Sequence, residues 1–294
     1  MSPAGNPPKP TNTPSPQDKA APLTSLDRLC VHTMTTKPLP LERAAEAYAK
    51  AGIKGITVWR DALAGHDPAQ AGALLRGQGL EIVSLCRGGF FPHREQSGRD
   101  KALDDNRKAI DEAAAVGAPI VVLVCGAVPG QPLELSRDQI RAGIEAVLPH
   151  AETNKVRLAI EPLHPMYADD RSAVNTMRQA NDIAEAIGSD HVGVAVDVYH
   201  LWWDPELREQ ILRCGRGGHL FAFHVCDWKT PTEDLLLDRG LPGEGCIDIR
   251  QIRRWVEEAG FRGFCEVEIF SKKHWASDQN EFLERIKQSF LAHV

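Results

Sequence analysis

Three features of the 294-residue sequence predict an α/β protein folded as a single (β/α)8 TIM barrel. Strand-like and helix-like runs alternate from about Leu26 to the C-terminus with little interruption. The strand-like runs are five to seven residues long and apolar on both faces, the pattern of a parallel sheet covered by helices. There are eight of them, the number that closes such a barrel. A doubly wound open sheet normally carries a glycine fingerprint after its first strand, whereas here that segment reads VHTMTTKPLP.

In chain order, Arg28–Thr33 precedes a helical pattern over Leu41–Ala51 that stops at Gly52. Gly55–Trp59 precedes a helix near Pro68–Gly77, and Glu81–Cys86 leads through RGGFFPH to a helix from about Arg99 to Val116, stopped by Gly117. Pro119–Cys125 is the fourth strand, and Ser136 is the expected N-cap of a helix reaching about His150. Val156–Glu161 precedes a helix from about Asn175 to Ile187, ended by Gly188. His191–Asp197 precedes a short helix near Pro205–Cys214. His219–Val225 is separated by a long loop from a helix at Ile249–Glu258. Phe264–Ile269 is the eighth strand, and Asp278–His293 closes the chain as a helix.

Residues 1–25, rich in Pro, Ser, Thr and Asn, read as a disordered tail, leaving 26–294 as the barrel domain. The tail has no hydrophobic segment of the kind a secretory signal needs. No apolar run approaches the roughly 20 residues that span a bilayer. A formal net charge of −6 gives no electrostatic reason to expect nucleic acid or an anionic membrane as partner. Seven cysteines at irregular spacing, with no CxxC pair, argue for a reducing cytoplasm and against a disulfide framework.

Polar residues collect at the C-terminal ends of the later strands. Strand 5 ends at Glu161, strand 6 at Asp197 with His200 three residues on, and strand 7 at His224 with Asp227 beyond it. Strand 8 carries Glu266 and Glu268. A barrel brings these ends to one mouth. Taken singly, a strand-end Asp is usually a helix cap and a His in FAFHV a core residue. Four such residues on four successive strands point instead to a metal site. Glu161, Asp197, His224 and Glu268 place three carboxylates and one imidazole together, and a divalent cation is the usual remedy for their repulsion. Oxygen-rich ligation with one nitrogen suits Mn²⁺ first, with Mg²⁺, Co²⁺ or Zn²⁺ also suited.

His32, Trp59, Arg60, Arg87, His164, His200, Trp202, Trp203 and Arg239 fall at strand ends or in later loops. Aromatic faces and hydrogen-bonding cations together are what a hydroxylated ligand requires. The two tryptophans equally suit packing on the helix layer, and Arg60 and Arg87 equally suit surface ion pairs. GLPGEG (240–245) lacks the Lys-Ser/Thr of a phosphate loop and reads as a tight turn.

The segments AIEPLHP, DVYH, HVCDW with the later DRGLPGEG, and EVEIFS resemble the xylose isomerase-like TIM-barrel superfamily. More closely they are similar to its sugar phosphate isomerase/epimerase branch, from about Leu26 to the C-terminus. The resemblance implies that Glu161, Asp197, His224 and Glu268 hold one divalent metal, and it prefers Glu268 to Glu266, only one of which is expected to face the site. It also implies that a sugar's carbonyl and neighbouring hydroxyl chelate the metal, with Glu161 and Glu268 removing and returning a proton through an enediolate. His32, Trp59, Arg87, His164, His200 and Arg239 are then expected to bind substrate, a small carbohydrate.

Ketohexose 3-epimerases carry a further Glu in the strand-5 loop, where this chain reads HPMYADD. Dehydratases of keto-inositol and lyases of 3-keto-glycosides share similar motifs, so elimination is the alternative outcome of the same proton abstraction. Endonuclease IV needs an Asp-x-His pair where this chain has Asp238-Arg239-Gly240, and a barrel that only binds sugar is the non-catalytic rival. Relatives of this kind are often dimers or tetramers.

Overall fold

Eight parallel strands close on themselves in the computed structural model, which describes residues 20–294. They are β1 (Leu29–His32), β2 (Gly55–Trp59), β3 (Glu81–Gly89), β4 (Ile120–Val124), β5 (Arg157–Glu161), β6 (Val192–Asp197), β7 (Leu220–Val225) and β8 (Cys265–Val267). The barrel closes where β1 pairs with both neighbours, Cys30 against Gly55 of β2 and Leu29 against Cys265 of β8, so no strand edge is left open. Eight principal helices surround it: α1 (Leu41–Ala51), α2 (Pro68–Gly77), α3 (Gln96–Val116), α4 (Leu133–Thr153), α5 (Met177–Ile187), α6 (Leu207–Arg216), α7 (Ile249–Glu258) and α8 (Gln279–His293). No helix among the described residues is long and apolar enough to cross a membrane.

Strand alternation sets which side chains reach the interior. Along β5, Leu158 and Ile160 join the large core between strands and helices, while Ala159 packs with Ile120, Val122 and Ala195 inside the barrel. Glu161 shares the phase of Ala159 and therefore emerges inside, at the mouth.

Several boundaries depart from the sequence expectation. β3 runs on to Gly89, where φ is +106° and a Cβ would lie 1.9 Å from the Val124 carbonyl oxygen, so only glycine fits. α3 begins at Gln96 and not Arg99. α4 begins at Leu133, so Ser136 is not its N-cap: it is buried in the first turn, its hydroxyl accepting from Gln131 Nε2 at 2.9 Å. α5 begins at Met177 behind a Thr176/Gln179 capping box. Asn175, just before that box, uses its side-chain amide to hold the Leu163 and Ser172 carbonyls, both at 3.0 Å.

Residues 1–19 of the expected tail lie outside the described residues. At its end, Arg250 of α7 donates to the Ala20 carbonyl at 2.6 and 2.9 Å, and Arg253 to that of Ala21. All seven cysteines are unbridged, six buried and Cys246 exposed.

The loop after β7 is closed at its base by Asp227–Trp228 pairing antiparallel with Arg239–Gly240. The expected turn at GLPGEG is folded onto Asp227, whose carboxylate accepts the backbone N–H groups of Trp228 (2.9 Å), Gly243 (2.8 Å) and Ile247 (3.0 Å). Asp227→Ala leaves these donors without their partner. It is expected to cost about 2–3 kcal/mol in urea unfolding and to speed proteolysis within 229–246.

Candidate metal centre

The mouth of the barrel gathers one donor atom from each of Glu161, Asp197, His224 and Glu268, all four within 4.8 Å of one another. Asp197 and His224 are direct neighbours across the β6–β7 ladder. Glu268 lies one residue beyond β8, its N–H still donating to the Val225 carbonyl at 3.2 Å. All four side chains are buried. His224 Nδ1 is 2.9 Å from Glu161 Oε1. Arg239 enters from the loop after β7, donating to Glu268 Oε2 at 2.6 Å and to Asp197 Oδ2 at 3.3 Å.

Charge in this dry pocket is distributed by these distances. Burial raises the Asp197 carboxyl to about 7, more than Arg239 lowers it. Burial would also raise Glu268, but the closer Arg239, helped by His32, holds it well below the usual carboxylate range. Burial disfavours the His224 imidazolium, yet Glu266 and Glu161 outweigh it and raise His224 to about 10. Without a cation, Arg239 therefore offsets Glu268, and protons are held by His224 beside Glu161 and in part by Asp197. Three carboxylate oxygens and an imidazole nitrogen at this spacing fit a divalent cation that would replace those protons.

Cation binding should accordingly release protons. Between about pH 7 and 10 the proton on His224 is displaced, and below about 7 Asp197 must lose one too, so affinity should rise with pH and fall most steeply in acid. Calorimetry with Mn²⁺ in buffers of different ionisation enthalpy measures the number released.

Above the cluster is a cavity of about 300 Å³. Of the residues expected to bind substrate, Trp59, Arg87, His200 and Arg239 line it beside Glu161 and Glu268. His32 and His164 do not line it. His32 is wholly buried below Trp59, with Nδ1 3.2 Å from Glu268 Oε1 and Nε2 3.3 Å from Glu266 Oε2. His164 is turned onto Trp203 and Trp228, where Nδ1 accepts the Met166 N–H at 3.2 Å.

Burial and Arg239 lower the pKa of His200 well below its usual value, so the ring is neutral. Its Nε2 lies 3.2 Å from Arg239 Nη2. Trp202 and Trp203 pack around the β6 and β7 loops and not in the cavity, with Trp203 Nε1 donating to the His200 carbonyl at 2.8 Å. Arg60 is taken up by Asp105 and Glu112, whereas Arg87 has no ion-pair partner among the described residues.

Two features were missed from sequence. Both Glu266 and Glu268 point inward, one layer apart, correcting the expectation that only one would. Glu266 accepts from Thr57 Oγ1 at 2.6 Å and Ser84 Oγ at 3.2 Å, and lies 3.8 Å from the otherwise unpartnered His224 Nε2. Arg171, from the loop after β5, also lines the cavity, with Lys37, Phe270 and Trp275. Its position one residue after HPMYADD was the only available signal.

Fold and site together define a closed parallel barrel with a candidate buried metal centre at its C-terminal mouth. The chain belongs to the xylose isomerase-like TIM barrel family, whose sequence model matches residues 45–288. It is similar to a Sinorhizobium meliloti 1021 protein of known crystal structure, with 47% identity and a TM-score of 0.87 over 90% of this chain and 98% of that one. Inosose isomerase of Bacillus velezensis is 26% identical over 244 residues, 78% of this chain and 81% of the relative. The IOLI protein, solved with a bound zinc atom, shares the fold at 23% identity and a TM-score of 0.77, over 89% of this chain and 96% of that one. Curated relatives are isomerases, an epimerase and a dehydratase.

Proposed function

We propose that this chain is a metal-dependent isomerase or epimerase of keto-sugars that removes a proton from the carbon next to a carbonyl. The supporting observation is that Glu161 and Glu268, from β5 and the end of β8, both line the cavity while sharing one ligand cluster with Asp197 and His224. A divalent cation there, Mn²⁺ first and Mg²⁺, Co²⁺ or Zn²⁺ as alternatives, supplies Lewis acidity toward the carbonyl and neighbouring hydroxyl oxygens.

The chain's own residues supply the rest. Glu268, kept ionised by Arg239, takes the proton. Glu161, on the other side of the cluster, returns one. Arg239 and neutral His200 reach substrate oxygens and favour the charge that develops on them. Trp59, Phe270 and Trp275, in edge and tilted contact at 5.3 and 6.3 Å, form an apolar wall for sugar C–H groups. His32 and His164 act from behind, His32 orienting Glu268 and His164 closing the loop beside His200.

The experiment is proton exchange. Metal-loaded protein is incubated in D₂O with ketoses, an inosose and 3-keto-glycosides, and each is followed by NMR. Deuterium next to the carbonyl is the expected result, and the product separates epimerase, isomerase and lyase. Absence of exchange with every substrate and metal overturns the proposal.

A further inference from the structure

We propose that the substrate carries an anionic group, a carboxylate or a phosphate monoester, bound between Arg87 and Arg171. This rests on the keto-sugar reading above and names its substrate class. Both arginines line the cavity, Arg87 from β3 and Arg171 from the loop after β5. Among the described residues neither guanidinium has a carboxylate within 4 Å or a side-chain hydrogen bond, even though Asp169 and Asp170 immediately precede Arg171. The contrast with Arg60 is direct, since that residue is held by Asp105 and Glu112 at 2.9 and 2.6 Å.

Each guanidinium instead rests on a ring, Arg87 4.3 Å from the centroid of Phe90 and Arg171 5.3 Å from that of Tyr167. Stacking covers one face and leaves the in-plane N–H donors for a planar or tetrahedral oxyanion. Burial, and next the charge of Arg171, lower the Arg87 pKa, with Glu161 a smaller opposing influence, so the two cations repel each other.

The metal centre does not supply the missing negative charge. Glu161, Asp197 and Glu268 with Arg239 and a divalent cation make a neutral group, so the charge on Arg87 and Arg171 remains in excess. Lys37, stacked 5.1 Å from Trp275 at the same cavity, adds to it. The backbone at both positions is anchored. Next to Arg171, the Gly126 N–H donates to the Arg171 carbonyl at 2.8 Å, and beyond Arg87 the Phe90 N–H donates to Val124 at 2.8 Å.

The test titrates Mn²⁺-loaded full-length protein with inorganic phosphate and with D-gluconate by calorimetry, beside Arg171→Met and the Arg87→Met/Arg171→Met double variant. At least one anion is expected to bind, with affinity falling about tenfold or more per arginine removed. The tighter of the two identifies the group. Phosphate held by the metal alone would survive the double substitution. Equal binding in wild type and double variant, with both melting alike, therefore overturns the proposal, as does absence of binding at about 10 mM, where a millimolar site fills.

In D₂O, fructose 6-phosphate and 5-keto-D-gluconate are compared with neutral fructose. Faster exchange of an anionic ketose, lost in the double variant, supports the anion site. Equal or faster exchange of the neutral sugar overturns it and leaves proton abstraction standing. Arginine-dependent anion binding with no exchange of any ketose, inosose or 3-keto-glycoside keeps the anion site and overturns the keto-sugar reading.

Discussion

Glu268→Gln is expected to slow proton exchange next to the substrate carbonyl by about 10²–10⁴-fold while the barrel stays folded. Glutamine keeps the volume and one oxygen for Arg239, which donates to Glu268 Oε2 at 2.6 Å, but it cannot accept a proton from carbon. It also removes one anionic ligand, so cation affinity should fall. Measuring exchange by NMR at saturating Mn²⁺ separates the two effects, because a pure ligand defect is repaired by more metal and a lost base is not. Exchange within tenfold of wild type would remove Glu268 from the acid/base role.

The second large effect is at Arg239, nearly fully buried between Asp197 and Glu268. Arg239→Met leaves Asp197 and Glu268 buried without the guanidinium between them, with only the His32 and His224 imidazoles nearby. Breaking a buried pair in this way costs about 3–5 kcal/mol, more than the pair itself contributes, because the surviving charge stays desolvated. The metal-free variant should therefore unfold at markedly lower urea, and saturating Mn²⁺ should recover part of the loss by restoring positive charge at the same carboxylates. Equal destabilisation with and without Mn²⁺ would show that the cation does not sit against Asp197 and Glu268.

Much of this architecture was legible in the sequence because strand length, alternation and strand ends are local signals. The eight strands appear where the apolar runs fall, and Glu161, Asp197, His224 and Glu268 meet because each lies at or within one residue of a strand's C-terminal end. Depth was not legible. Glu266 and Glu268 share a face, and only closure of β8 between β7 and β1 places Glu266 beneath the ligands against Thr57 and Ser84.

Loop geometry was not legible either, since it has no period. His164 follows the strand-5 Glu by three residues and still turns away onto Trp203 and Trp228. Pairing over long separations sorted the arginines. Arg60 finds Asp105 and Glu112 on α3, 45 and 52 residues away, while Arg87 finds none among the described residues.

The antiparallel clasp between Asp227–Trp228 and Arg239–Gly240 separates two kinds of inheritance. Within it, Arg239 is held toward Asp197 and Glu268. Above it, the span 229–238 reaches over the cavity with Leu236 and Leu237 and is tied back through Lys229 and Asp238. The Leu235 carbonyl in that span accepts the Tyr167 and Tyr199 hydroxyls, and the Tyr199 ring faces Arg239, so changes there would reshape the roof of the cavity and also bear on the support of Arg239.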